Sequence, residues 1–177
     1  DSIGIGGVNS TKEIKIIDSK KRLANSRMMW FEENIDYNIT TEDKKYFTFI
    51  LQEAFKLKEF LPGQFEAIRD ILNSDKHKIC IMPTGSGKSI IYYFLSLLQP
   101  NPTMVLAPTK LLIRDQVHIL KNKHEIDDIQ ILEEFSDHSD FDPKNKFIFL
   151  TPLTFISSNL INKVIQLNNN HQLSNFI

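Results

Sequence analysis

The segment 83–89, which reads Pro-Thr-Gly-Ser-Gly-Lys-Ser, carries the clearest chemical signal in the sequence. Its two glycines let backbone N–H groups approach an anion without an intervening Cβ, and a helix starting at Ser89 would add the positive end of its dipole. The Lys88 ammonium would contact the β- and γ-phosphates of a nucleotide, and the Ser89 hydroxyl would hold Mg²⁺. Lys88 and Ser89 are therefore the predicted catalytic residues, with Ser89 as the metal ligand. The predicted phosphate contacts are Thr84, Gly85, Ser86, Gly87, Lys88 and Ser89.

A phosphate-binding loop of this kind needs a strand before it and a helix after it. The apolar, β-branched run at 79–82 predicts a buried strand, in which Cys80 would be a small core residue. The strongly apolar stretch from Ser89 to about Leu98 predicts the helix.

The other segments alternate between helical and strand patterns. Apolar residues at helical spacing predict a helix near 47–55 and a second one that starts at Gln64. Strands are predicted at 103–107, 129–132 and 147–150, with a helix at 110–121 and a loop around 168–170 before a new element near Phe176. This alternation predicts an α/β fold with a parallel sheet and flanking helices.

The composition fits a globular domain with a weakly structured start. Hydrophobic residues make up 41% and charged residues 24% of the 177, which excludes collagen-like, wholly disordered and membrane-spanning chains. A single cysteine excludes an internal disulfide. Residues 1–45 are predicted to be an N-terminal extension, with a short element near 28–31, and residues 46–177 the domain.

Four segments, in order, resemble the RecQ-type DNA helicases of superfamily 2. They are Phe-Leu-Pro-Gly-Gln-Phe-Glu-Ala-Ile at 60–68, Met-Pro-Thr-Gly-Ser-Gly-Lys-Ser at 82–89, the stretch 105–117 that ends in Asp-Gln-Val, and Phe-Ile-Phe-Leu-Thr-Pro at 147–152. The family tolerates Met82 where the strict loop pattern has Gly. The resemblance implies part of a RecA-like P-loop NTPase domain, ATP and Mg²⁺ as cofactors, and 3′ to 5′ DNA unwinding in repair and recombination. Eukaryotic members imply a nuclear location.

The first segment resembles the family's adenine-recognition motif. An amide such as that of Gln64 can donate to and accept from the adenine edge at once, which favours ATP over GTP. Leu57 and Leu61 stand where the family has an aromatic residue and an Arg on the two faces of the base. Leucines would pack on the ring without a stacking or cation–π contribution.

The third and fourth segments imply contacts to a nucleic acid. The net charge is −1, with positive and negative residues evenly spread, so any such site must be local. Pro108, Thr109 and Lys110 follow one predicted parallel strand and Thr151 follows another, where open α/β sheets bind ligands. These residues would hold phosphates of DNA, as a single strand or at a duplex junction.

Hydrolysis in this family also needs an acidic pair on a later strand and an arginine from a second motor domain. No strand followed by Asp-Glu occurs in the sequence, so we expect residues 46–177 to be the N-terminal portion of the ATP-binding domain, truncated before the Asp-Glu box. The remainder of the motor would be needed for activity.

Two alternatives stay open. The run Ala-Pro-Thr-Lys at 107–110 also resembles RNA helicases of superfamily 2, although the Leu-Pro-Gly-Gln at 61–64 and the Asp-Gln at 115–116 favour the DNA family. A nucleotide-binding module without catalysis would carry the same phosphate loop. The sequence downstream of Ile177 discriminates, because an Asp-Glu strand supports the enzyme and a stop codon supports the module.

The isolated chain 1–177 is predicted to be catalytically inactive and to unfold with little cooperativity, because its sheet would have exposed edges and an unfilled core. Thermal denaturation and a phosphate-release assay measure the two properties. Brisk ATP turnover by this chain that Lys88→Ala abolishes would contradict the expectation.

Overall fold

The structure, a computed structural model, describes residues 39–74, 76–99, 101–132, 141–157 and 160–177. These residues divide into two compact units, one ending at Leu98 and the other starting at Gln99. None of the described helices is long and apolar enough to cross a lipid bilayer. In chain order the elements are α1 (Lys44–Phe55), α2 (Gln64–Leu72), α3 (Ser89–Leu98), β1 (Thr103–Leu106), α4 (Lys110–His124), β2 (Ile129–Ile131), β3 (Phe147–Leu150), α5 (Pro152–Ser157), α6 (Leu160–Asn169) and β4 (Asn175–Phe176).

The first unit is held together by aromatic side chains from α1, α2 and α3. The Phe47 ring packs edge-on against Phe65 and stacks on Phe94, with both pairs of ring centroids 5.6 Å apart. Phe60 packs edge-on against Phe94 at 5.3 Å. Each such pair adds about 0.5–1.5 kcal/mol to the free energy gained by burial. The three helices predicted in this unit are confirmed, and the aromatic core fixes the positions of their ends.

The strand predicted at 79–82 is wrong. Ile79 and Ile81 are 92% and 91% exposed, Cys80 is exposed rather than in the core, and the backbone forms no regular structure there. A strand exists only where a neighbour pairs with its backbone groups, and none of the described strands pairs with this segment. The apolar pattern is therefore present without the partner that would bury it.

The second unit contains a parallel sheet with the strand order β2-β3-β1-β4. Thr103 aligns with Phe147 on one side of β1 and with Asn175 on the other, and Ile129 aligns with Phe147 across β2 and β3. All four residues of β3 are buried, as expected for an inner strand covered on both faces. Parallel strands with flanking helices confirm the α/β fold class of a partial RecA-like domain.

Helices α5 and α6 were not predicted, and the sequence prediction of a loop at 168–170 begins two residues too early. Helix α6 forms because Leu160 and Leu167 lie on one face and are buried in the core with Met104, Ile148 and Leu150. That burial outweighs the low helix propensity of the asparagines. Of the predicted extension 1–45, residues 1–38, including the element predicted near 28–31, lie outside the described residues.

Lys146 is a buried cation at the start of β3. Its side chain is 8% exposed, and Nζ donates to the carbonyl oxygens of Gln99 and Asn101. Burial lowers the pKa of the Lys146 ammonium from 10.5 to about 8, and the nearby Asp128 carboxylate offsets part of that effect. The folded protein therefore gives up this proton at a lower pH than the unfolded chain does.

This pKa predicts a pH-dependent contribution to stability. Between about pH 8 and 10.5 the unfolded chain binds more protons at Lys146 than the folded one, so the free energy of unfolding should rise with pH across that window. Relative to Lys146→Met, the wild type should gain up to about 3 kcal/mol, measured by urea denaturation of the full-length protein at several pH values. The exposed neighbour provides the control, because Lys144→Met should keep the wild-type profile. Parallel profiles of wild type and Lys146→Met would contradict the assignment.

Candidate nucleotide site and nucleic-acid interface

The loop 83–89 makes a tight turn that two glycines permit. Gly85 and Gly87 adopt φ angles of 79° and 69°, a region that other residues rarely occupy, and the Ser86 N–H donates to the Pro83 carbonyl oxygen at 3.3 Å. Nothing lies within 4 Å of a Cβ built on Gly85, so its backbone faces open space. The helix α3 begins directly after the loop, at Ser89. This is the geometry of an anion cradle at a helix N-terminus.

The Lys88 side chain folds back over its own loop. Nζ donates to the carbonyl oxygens of Met82 and Pro83, both at 2.8 Å, and the residue is exposed. An ammonium held by two neutral carbonyls exchanges them readily for an anion, because a charge-assisted bond to phosphate is about twice as strong. Lys88 is therefore placed to contact a phosphate group bound at the loop.

The loop also carries two serine hydroxyls, which differ in their hydrogen bonding. The Ser86 hydroxyl oxygen is buried and has no hydrogen-bond partner among the described residues, which is a costly arrangement that a phosphate oxygen would relieve. The Ser89 hydroxyl is hydrogen-bonded to Tyr92 one turn further along α3. Burial raises the pKa of the Tyr92 phenol, and its hydrogen bonds to Ser89 and Tyr93 offset part of that rise. The donors present fit a triphosphate, and Ser89 offers the oxygen for a hard cation.

Gln64 lies beside the phosphate loop, and its buried side-chain amide makes three hydrogen bonds. Its Oε1 accepts from the Leu61 N–H at 2.8 Å, and its Nε2 donates to the carbonyl oxygens of Ser86 and Gly87, both at 3.0 Å. Only 3% of the residue is exposed. The sequence placed Gln64 at the base, and the structure places its amide on the loop.

The adenine-motif residues and the loop are in close contact. A Cβ on Gly87 would lie 2.7 Å from Gln64 Nε2 and 3.5 Å from Leu61 Cδ1, so a larger residue at 87 would displace the amide. The Leu61 side chain is 46% exposed and that of Leu57 half-buried. The structure thus brings Leu61 and Gln64 to the loop.

In the second unit, the predicted nucleic-acid contacts lie where helices follow β1 and β3. Pro108, Thr109 and Lys110 are exposed, and the Thr109 hydroxyl caps α4 by accepting from the Leu112 N–H at 3.2 Å. The buried Thr151 hydroxyl accepts from the Thr154 N–H at 3.1 Å. Both threonines therefore hold the starts of helices, a role that the sequence analysis did not assign.

Two further residues join this site. Lys110 and Thr151 line one pocket together with Arg114 and Thr154, next to the apolar side chains of Ile113, Ile131 and Leu132. Arg114 and Thr154 were missed, although Lys110 and Arg114 are four residues apart on one helix and so share a face. Among the described residues, the lining holds two cations and no carboxylate. Such a pocket suits a phosphodiester.

The comparisons with known proteins agree with this geometry. Residues 61–176 match the DEAD/DEAH box helicase family. The chain is 40% identical over 72 residues to the ATP-dependent DNA helicase RecQ of Bacillus subtilis, covering 41% of this chain and 12% of that protein. It is 30% identical to the ATP-dependent DNA helicase Q1 of Mus musculus over 120 residues, covering 68% of this chain and 17% of the relative.

A third relative matches over a longer stretch than these two. The RecQ-like DNA helicase BLM of Xenopus laevis is 30% identical over 137 residues, which is 72% of this chain and 10% of that protein. The chain thus spans between 10% and 17% of the length of these three relatives. The family match covers most of the second unit and the loop of the first. The chain belongs to the DEAD/DEAH box helicase family, and its relatives confirm the resemblance to the RecQ type.

Proposed function

We propose that this chain is part of an ATP-dependent DNA helicase of RecQ type, which couples ATP hydrolysis to 3′ to 5′ movement along DNA during repair and recombination. The single observation that carries the proposal is the loop 83–89 in a chain of this family. In this loop the glycines have positive φ angles, and Lys88 Nζ donates back to the Met82 carbonyl oxygen. A nuclear location follows from the eukaryotic relatives and belongs to the same proposal.

In this proposal, each residue of the loop binds or orients the nucleotide. The N–H groups of the loop and Lys88 bind the β- and γ-phosphates, and the Ser86 hydroxyl donates to a phosphate oxygen. The Ser89 hydroxyl is the protein ligand of Mg²⁺, which when bound neutralises charge on the phosphates. Thr84 and Gly85 form the exposed part of the cradle.

The adenine ring occupies the side of the loop next to α2. Leu57 and Leu61 pack on its faces, and Gln64 reads its edge after exchanging one of its present hydrogen bonds for one to the base. Water activation and the arginine that acts in the transition state are assigned to the remainder of the motor.

The DNA strand lies across the pocket of the second unit. Lys110 and Arg114 contact phosphate oxygens from one helix face, while Thr109 and Thr151 keep the two helix starts in place beside them. Contacts of this kind bind the backbone and carry no base sequence information directly, which suits a motor that moves along any strand.

Lys88→Ala tests the nucleotide site. In the full-length protein this change should lower ATP turnover and DNA unwinding by about 100-fold or more, because it removes a charge that acts on the transferred phosphoryl group. A steady-state ATPase assay with single-stranded DNA measures the effect, and Lys78→Ala at an exposed position before the loop is the control. Unwinding that survives Lys88→Ala would refute the proposal, and ATP binding without turnover by the wild type would support the non-catalytic module.

Arg114→Ala and Lys110→Ala test the DNA site. Each should weaken single-stranded DNA binding at every sequence, and should reduce the slope of log K against log salt concentration by about 0.7, the value for one phosphate contact. Fluorescence anisotropy over a salt series measures this. Lys121→Ala, in the last turn of the same helix, should keep the wild-type slope. Tighter binding and unwinding of RNA than of DNA would favour the RNA helicase instead.

A further inference from the structure

The hydrogen bonds of Gln64 are directed at the peptide groups of the phosphate loop. A glutamine amide has two N–H donors and one carbonyl acceptor, and here Nε2 bonds to the Ser86 and Gly87 carbonyls while Oε1 accepts from Leu61. The residue is 3% exposed, so these bonds form away from water and their geometry is fixed by the surrounding core. Contact with a base alone would not require Gln64 to make these hydrogen bonds to the loop.

The two carbonyls belong to peptide groups whose N–H atoms are those of Gly87 and Lys88. In a trans peptide the C=O and N–H bonds point in opposite directions, and the chain has no cis peptide among its described residues. Pulling the Ser86 and Gly87 carbonyls toward Gln64 therefore turns the Gly87 and Lys88 N–H groups away from it. Neither of these N–H groups makes a hydrogen bond within the described part of the chain.

Two contacts at Gly87 hold the Gln64 amide close to the loop. The Gly87 carbonyl accepts a second hydrogen bond from the Ile90 N–H at 3.1 Å, so the same oxygen joins Gln64 to the first turn of α3. A Cβ at position 87 would approach Gln64 Nε2 to 2.7 Å, so the amide occupies the space that only a glycine leaves. The position of Gln64 is in turn set by Phe65, its buried neighbour in the aromatic core.

We propose that Gln64 is a positioning residue of the phosphate loop, which holds the Gly87 and Lys88 N–H groups in the orientation that binds phosphate whatever base is attached. The inference rests on the proposed nucleotide site and deepens it. It separates two roles of one side chain: a role at the base, which distinguishes ATP from GTP, and a role at the loop, which affects every triphosphate equally.

Inorganic triphosphate, which has no base, distinguishes the two roles. In the full-length protein, Gln64→Met keeps a neutral side chain of similar size but removes both donors to the loop and the acceptor of the Leu61 N–H. Its affinity for inorganic triphosphate should fall by about 5- to 50-fold, because the ligand must then order loop peptides that two hydrogen bonds of about 1 kcal/mol each hold in the wild type. Competition against a fluorescent ATP analogue measures the dissociation constants, and thermal melting checks that the variant is folded.

Leu61→Ala is the matched control. It removes the apolar surface proposed to lie on the base but keeps the backbone N–H that bonds to Gln64. It should weaken ATP binding and leave the affinity for inorganic triphosphate within about twofold, whereas Gln64→Met should weaken the binding of both ligands. Hydrogen exchange of residues 86–90 should also be faster in Gln64→Met than in the wild type, because the loop peptides lose their tether.

The outcomes separate the inference from the function on which it rests. If Gln64→Met weakens only ATP and leaves inorganic triphosphate unchanged, the positioning role is wrong while the nucleotide site stands. If the wild type binds neither ATP nor inorganic triphosphate, the proposed function itself fails. If Gln64→Met does not fold, Gln64→Leu replaces it, which also removes both donors to the loop and adds no charge. The same loss of inorganic triphosphate binding is then required.

Discussion

The packing of aromatic rings between α1, α2 and α3 is the interaction on which the phosphate loop depends. Phe65 follows Gln64 directly and Phe94 lies on the helix that Ser89 begins, so the rings fix the two sides of the loop relative to each other. The 3.0 Å bonds from Gln64 to the loop carbonyls are possible only because α2 and α3 are held at that separation. Removing a buried ring costs about 3–5 kcal/mol, and here the loss would also loosen the loop.

In the second unit, a parallel sheet positions the candidate residues. The parallel register of β1 and β3 brings the starts of α4 and α5 to one edge, where the Thr109 and Thr151 hydroxyls cap them. Both threonine hydroxyls form hydrogen bonds within the protein, and Lys110 and Arg114 line the pocket beside them. Short hydroxyl side chains reach the nearby backbone, whereas long basic side chains extend further from it.

Much of this could be predicted from the sequence, and the failures have separate physical causes. The loop 83–89 and the helix that starts at Gln64 were predicted because glycine spacing and apolar periodicity are local signals. The segment 79–82 was predicted wrongly because a strand depends on a neighbour that the segment itself does not specify. Helix α6 was missed because burial of Leu160 and Leu167 decides it. The bonds of Gln64 to the loop, between residues 22 and 23 positions apart, leave no trace in local sequence.

The two outward isoleucines at 79 and 81 have a consequence for handling the molecule in solution. Exposed apolar side chains on a segment without regular structure favour association with another apolar surface, including one on a second molecule. The exposed lysines just before this segment, Lys76 and Lys78, oppose such association by charge repulsion between molecules. Raising the ionic strength would screen that repulsion. Samples should therefore stay monodisperse at low protein and low salt concentration, and should aggregate when both concentrations are high.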